Sequence, residues 1–349
     1  MQYLGCTALH ASAFARRHND HVHYRRCAVY RLNLFSRRHV YALAPCAVGV
    51  NKSQPWQQRL GRWVAIIGLL FGATLLTGCS ATRLVYNNAP DLLYWWSDSF
   101  FDWDQSQSTL LRNDLAKLQQ WHRRQELPGY ATTLNALQAA GLQDVQASQV
   151  CALSDYTQQR VQATVDHFVP TAASLAQSLS AAQLEHLRSA LNQRSQDWRD
   201  EWMGGPPAER EDRRFKKLVK RAEEFYGRIS TLQREQLRTQ LRASGFDPSR
   251  QFLEGERRNQ DALQTLRQIT INAASGAGDP AQVETELRAW VARTVESPDP
   301  AFVQYARLVR RQACTAVANF HNQTSTEQRQ HLQQVLHDYE VDVRALLAR

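Results

Sequence analysis

Residues 180–203 read SAAQLEHLRSALNQRSQDWRDEWM, and the pattern of this stretch decides the fold class. Leu184, Leu187, Leu191, Trp198 and Trp202 recur at the spacing that gathers side chains on one face of an α-helix. Gly204-Gly205-Pro206-Pro207 then stops the run. Ser180 opens it as an N-cap: its hydroxyl is placed to accept from the amide three residues on, while Gln183 reaches back to the amide of Ser180. The same device recurs as Ser230-x-x-Gln233-x-x-x-Leu237 and Ser325-x-x-Gln328-x-x-x-Leu332, which fixes three helix starts.

The neighbouring stretches carry the same period. Leu111, Leu115, Leu118 and Trp121/His122 form a stripe ended by Leu127-Pro128-Gly129, and Val150, Val161, Val165 and Phe168 form one stopped by Pro170. Phe215, Leu218, Ala222, Phe225 and Ile229 form another, and Leu237 and Leu241 lead to a stop at 245–248. Leu263, Leu266 and Ile269 run to a Gly-rich turn at 275–280, and Val283, Leu287 and Trp290 run to Pro298. Phe302, Tyr305, Val309 and Phe320 follow, and Leu332, Leu336, Tyr339, Val343 and Leu346 close the chain. No alternating run of strand period competes. The class is all-α, a multi-helix antiparallel bundle or an elongated helical array over residues 105–349. The short stops predict that consecutive helices pack as antiparallel neighbours, and a sub-boundary, if present, falls near 275–280.

Upstream, residues 62–80 read RWVAIIGLLFGATLLTGCS. Lys52, Arg59 and Arg62 precede an apolar run from Trp63 to about Leu76, the plan of a secretory signal. The run falls short of the roughly 20 residues a membrane-spanning helix needs. It closes on Leu76-Thr77-Gly78-Cys79, which resembles a lipobox, the recognition sequence of bacterial prolipoproteins. That resemblance makes 51–78 a lipoprotein signal peptide and Cys79 the lipid-modified, palmitate-bearing first residue of the mature chain. Ser80 follows, and not the Asp that retains enteric-type lipoproteins at the inner membrane. The expected location is the outer membrane, lipid-anchored and facing the periplasm. Residues 1–50 carry Arg pairs and five of the eleven His but no apolar period, and are expected to be a disordered gene-model extension.

Charge and cysteine counts change at this cut. Residues 1–78 hold ten of the 42 Lys and Arg but one of the 33 Asp and Glu, so the remainder is balanced at 32 of each. A nucleic-acid-binding chain keeps a basic excess to meet phosphates, and nucleic acid is excluded as a partner on that ground. Of six Cys, only Cys79, Cys151 and Cys314 follow residue 78. With Cys79 taken by lipid and the rest exported to an oxidising compartment, Cys151 and Cys314 are expected to form one disulfide.

Other candidates admit two readings each. Tyr94, Trp95, Trp96, Phe100, Phe101 and Trp103 crowd the segment 79–104; such rings suit either a membrane interface or a helical core. Arg213, Arg214, Lys216, Lys217, Lys220 and Arg221 form a basic run suited to an anionic lipid or polymer, yet Glu209, Glu211, Asp212, Glu223 and Glu224 interleave as in an ion-paired solvated face. His331, His337, Asp338, Glu340 and Asp342 carry metal-type atoms, but a spacing of six puts the two His on different faces. No hydrolase, phosphate-loop or zinc signature appears, so no catalytic residue, metal or cofactor is assigned.

The stretches LTGCSATRLVYNNAPDLLYWW, WHRRQELPGY, QVCAL, FDPSRQFLEGERRNQ and CTAVANFHNQTSTEQRQHLQQVLHDYEVDVRAL together resemble an uncharacterised family of Gram-negative lipoproteins, a domain of unknown function. The resemblance runs from about Leu76 to the end and departs at Gln323, where Ser is expected. It implies a lipoprotein with no catalytic residues to carry over. Leu179 and Ile229 before two of the capping boxes also resemble the Leu-Thr-x-x-Gln motif of small helical periplasmic chaperones, with Ser in place of Thr. A binding or scaffolding module of the envelope, with a protein or lipid partner, is the leading expectation; a chaperone-like protein, or an enzyme whose site is assembled from distant side chains, is the alternative.

Overall fold

A computed structural model describes residues 81–348; the expected extension 1–50, the expected signal 51–78 and Cys79 lie outside the described residues. These described residues form twelve helices and no strand: α1 Ala81–Asn87, α2 Ala89–Phe101, α3 Gln105–Gln125, α4 Leu127–Ala140, α5 Ala147–Gln177, α6 Ala181–Met203, α7 Pro207–Tyr226, α8 Thr231–Ala243, α9 Pro248–Ala274, α10 Pro280–Val295, α11 Pro300–Asn322 and α12 Thr326–Leu347. The all-α class expected from the periodicity is the class observed. The Asp-Pro words act as starts: Asp247, Asp279 and Asp299 each cap a helix whose first residue is Pro, a residue that gives up an amide no helix start can use.

Two stops require correction. Pro170 does not end its helix; α5 continues to Gln177. An interior proline costs one backbone hydrogen bond and about 3 kcal/mol. The turns around and beyond it bury Val169, Ala173, Leu175 and Ala176, and that burial offsets the cost. Leu127-Pro128-Gly129 does end α3, but the chain turns directly into α4, with Pro128 in its first turn. In α12 the predicted stripe also fails at one position: Tyr339 is exposed while Glu340 and Asp342 are buried. Neighbouring groups meet both carboxylates.

The expected packing of consecutive helices holds only in part. Consecutive pairs α2/α3, α3/α4, α7/α8 and α9/α10 do pack, but the largest interfaces join helices far apart in sequence: α4 with α12, α5 with α11 and α6 with α9. Extended N-cap residues at Ser180 and Ser325 redirect the chain at the α5–α6 and α11–α12 junctions, and there each helix finds its partner beyond its sequence neighbour. The core consequently divides. Val169, Ala173, Ala176, Ile269, Val283 and Leu287 knit α5 to α9 and α10; Tyr94, Leu111, Leu115 and Leu175 knit α2 and α3 to α5. Val219, Ala222, Ile229, Leu237 and Phe320 join α7, α8 and α11, and Leu127, Ala131, Val343 and Leu346 join α4 to α12. Helix α5, 31 residues long, serves two of these clusters and is the spine of the array.

Candidate functional site

The three predicted capping boxes form, and two more stand with them: one at Gln146 and Gln149 before α5, which pairs with no other box, and one at Asp104 and Gln107. Asp104 accepts from the amides of Ser106 and Gln107, and Gln107 Oε1 accepts from Asp104 N, at the start of α3. The boxes then combine in pairs. Gln183 Nε2 donates to Gln107 Oε1 at 2.6 Å and Gln107 Nε2 returns to Gln183 Oε1 at 3.3 Å. Gln233 Nε2 donates to Gln328 Oε1 at 2.7 Å and Gln328 Nε2 returns to Gln233 Oε1 at 3.0 Å. Each Oε1 also accepts its own N-cap amide, so one amide group both closes a cap and clasps a second helix start. Spare donors reach backbone carbonyls: Gln183 to Asp102 O, Gln107 to Ser178 O, and Gln328 to Arg228 O. Gln107, Gln183 and Gln233 are buried, where a made hydrogen bond is modest in net worth and an unmade one is costly.

Cys151 on α5 and Cys314 on α11 stand at disulfide distance, with Cα atoms 5.5 Å apart across 163 residues of sequence. Cys314 is buried. The pair lies in the interface between the spine helix and α11.

The stretch WHRRQELPGY folds as a polar cluster at the α3–α4 junction. Tyr86 Oη lies 3.1 Å from His122 Nδ1, and buried Glu126 faces Arg160 at 3.7 Å. Burial lowers the His122 pKa against the pull of Glu126. Burial, reinforced by the negative charge of Glu126, pushes Tyr130 up to about 12. At neutral pH this leaves a neutral imidazole and a protonated phenol, groups displaced away from the range useful for proton transfer. A similar pair ties α7 to α11, with Tyr226 Oη 3.0 Å from His321 Nδ1 and His321 Nε2 2.8 Å from the Gln143 carbonyl.

The basic run divides among local partners. Arg213 donates to the carbonyls of Glu201 and Gly204 at the end of α6. Lys216 pairs with Asp212 at 2.8 Å, Lys217 with Glu201, and Arg221 with Glu224 at 2.8 Å. Arg214 sits over the Phe246 ring, its pKa lowered by burial. Glu201, Trp202, Arg213, Arg214, Lys216 and Lys217 line a shallow cleft of about 210 Å³. A second cleft, about 500 Å³, is lined by Leu142, Thr324, Thr326, Arg329 and Gln330. Neither cleft brings a histidine or paired carboxylates together.

The metal-type atoms of α12 go to separate neighbours. Glu340 accepts from Gln138 and Asn135 on α4 and from Arg344. Asp342 pairs with Arg83 at 3.0 Å, and Asp338 accepts from Gln334. Among the described residues no group of three or more His, Cys, Asp or Glu could hold a metal ion. The aromatic segment splits between its two readings: Tyr94 and Phe100 are buried, while Trp95 and Trp96 are 60% and 49% exposed.

These features define an all-α array fastened at its helix starts. The chain belongs to the Family of unknown function (DUF6279), whose model matches residues 99–275; the matched part holds the boxes at Asp104, Ser180 and Ser230 and one complete clasp. No curated protein and no solved structure matches the chain.

Proposed function

We propose that this protein is a lipid-anchored module of the bacterial envelope that binds or scaffolds a partner, attached at the outer membrane through Cys79 and facing the periplasm. The observation that carries the reading is the place of the lipobox-like Leu76-x-Gly78-Cys79: Cys79 stands two residues before Ala81, the first residue of α1, and all twelve described helices lie downstream of it. No described helix is long and apolar enough to cross a membrane. Export to an oxidising compartment also gives Cys151 and Cys314 the conditions for a bond. Replacing Cys79 by Ala and fractionating cells tests the anchor. The expected result is release from the membrane fraction and loss of acyl mass; unchanged membrane association overturns it. Crosslinking in intact cells, followed by identification of what copurifies, tests for the partner.

A chaperone-like role is the second reading, favoured by the reciprocal pairing of Ser-x-x-Gln boxes that resemble the chaperone motif. It expects suppression of aggregation when a chemically denatured client is diluted into excess protein. A client that aggregates at the same rate with and without the protein removes this reading.

A further inference from the structure

Among the described residues, helices α1 and α2 leave one apolar face without a partner. The helical path is nearly continuous through the junction, with Asn88 N bonded to Leu84 O and Leu92 N to Asn88 O. Along it, Leu84/Val85, Asn88, Leu92 and Trp95/Trp96 follow at intervals of three and four, which places them on one side. Leu84 is 65% exposed, Val85 54%, Trp95 60% and Trp96 49%. The opposite side is pinned. Arg83 pairs with Asp342, Tyr86 packs into the α4–α12 cluster, and Tyr94 is buried among Leu111, Leu115 and Leu175 with Arg112 over its ring. The helices therefore cannot roll the apolar stripe inward.

We infer that this stripe is a membrane-contact surface, seated in the interface of the bilayer that carries the anchor. The inference rests on the anchor reading. Only Ser80 lies between Cys79 and Ala81, a reach of at most about 7 Å over two residue steps, so an acylated Cys79 holds α1 at headgroup depth. Trp favours that depth, and an amphipathic helix binds there by burying its apolar side in the plane of the surface. The charges on these two helices are met within the protein: Arg83 pairs with Asp342 at 3.0 Å, Asp91 pairs with Arg112 at 3.0 Å, and Asp98 accepts from Trp103 N. The attraction is thus apolar, to the lipid interface itself, and not to anionic headgroups. The lipid anchor and the stripe together supply the two signals that stable attachment takes, and they orient the array on the membrane.

The test uses the full chain as processed in cells, purified in detergent and reconstituted into phosphatidylethanolamine–phosphatidylglycerol vesicles containing phosphatidylcholine brominated near the headgroup. Trp95 and Trp96 are two of seven Trp in the described residues. The expected result is bromine quenching of about a quarter of the emission, an interface-depth signal that disappears in Trp95→Phe/Trp96→Phe. Far-ultraviolet circular dichroism checks that the exposed substitutions leave the fold intact. Acylated, vesicle-bound protein whose quenching is absent, or is the same in the double variant, overturns the surface and leaves the anchor standing. That result would hand the stripe to a protein partner, a second copy or the apolar run 63–76. Cys79 found without acyl mass overturns the anchor and this inference together.

Discussion

Replacing Gln183 by Leu removes the amide that joins two helix starts, and the structure sets the size of the effect. Three contacts go: the bond accepted from Ser180 N at 2.9 Å, the bond donated to Asp102 O at 3.1 Å, and the exchange with Gln107 at 2.6 and 3.3 Å. Gln107 is 2% exposed and Gln183 8%, so water does not readily replace what is lost. With about 1 kcal/mol net per hydrogen bond and more for a buried group left unpaired, the loss is about 2–4 kcal/mol. Gln107→Leu should cost a similar amount, since Gln107 also holds Asp104 N and Ser178 O. The double variant is the informative one. Where two apolar groups replace two amides, neither is left facing an unpaired partner, so the two losses overlap by about 1–2 kcal/mol, within the range found for residues in direct contact. Urea unfolding followed by circular dichroism reads all four corners of the cycle. With a slope of about 2–3 kcal/mol/M, each single variant moves the midpoint by about 1 M. Ser180→Ala serves as a control: it removes the hydroxyl acceptor of Gln183 N, costs about 1 kcal/mol as a lost cap, and leaves the Gln–Gln exchange in place. Strictly additive losses in the Gln107/Gln183 cycle would refute this clasp and reduce the Asp104 and Ser180 boxes to independent caps.

Three further outcomes are expected. If Cys151 and Cys314 are bridged, the exported protein migrates faster on a non-reducing gel. Opening a loop across 163 residues then lowers stability by about 5 kcal/mol in the chain-entropy model, and two freely alkylated thiols would disprove the bridge. Gly227, at φ 68° and ψ −150° between α7 and the Ser230 box, occupies a region that side chains avoid, so Gly227→Ala should cost about 1–3 kcal/mol; an unchanged urea midpoint would contradict this. Burial lowers the pKa values of His122 and His321. Below the unfolded value of about 6.5 the unfolded chain then binds more protons than the folded one, and stability is lost as pH falls from there through the folded values, with no contribution above it. Melting midpoints between pH 7.5 and 5 should fall less steeply in His321→Gln, and an identical slope would remove His321 from the account.

Much of the fold was legible because each apolar stripe is bounded by a chemical stop or start. Ser180, Ser230 and Ser325 begin helices where their boxes predict, and Gly204, Ser275 and Pro298 lie at or just past helix ends. The misreadings have physical causes. Pro170 looked like a stop because a local rule was applied where burial of Val169, Ala173 and Leu175 outweighs it. Helix α4 has few buried apolar positions of its own, Leu127 and Ala131, and its existence depends on α12, two hundred residues away in the chain. Buried Glu340 was unreadable for the same reason, since Asn135, Gln138 and Arg344 make its burial tolerable. The split of the aromatic segment into buried Tyr94 and exposed Trp95 is a matter of one helical step, which composition alone does not resolve.

The clasps were hidden differently, because their chemistry is in the sequence and only the pairing is not. In a capping box the glutamine uses Oε1 to accept from the N-cap amide, which leaves two N–H donors on Nε2 and a second lone pair on Oε1. At an exposed helix start water takes them. At a buried one they need protein partners, and the group best matched to an amide with one donor face and one acceptor face is a second amide in the same state. Two buried boxes therefore satisfy each other when their helix starts meet. Here Asp104 meets Ser180 and Ser230 meets Ser325, each through its Gln. Asp104 was passed over because the recurring word was read with Ser at its head, although Asp caps a helix as well as Ser does. Once Asp104-x-x-Gln107-x-x-x-Leu111 is admitted, the four boxes that clasp one another can all be found in the chain, beside a fifth at Gln146-x-x-Gln149 that joins no clasp. Three of these four are closed on a Gln that is itself buried, and a buried cap amide with unspent donors carries within the sequence a demand for a partner.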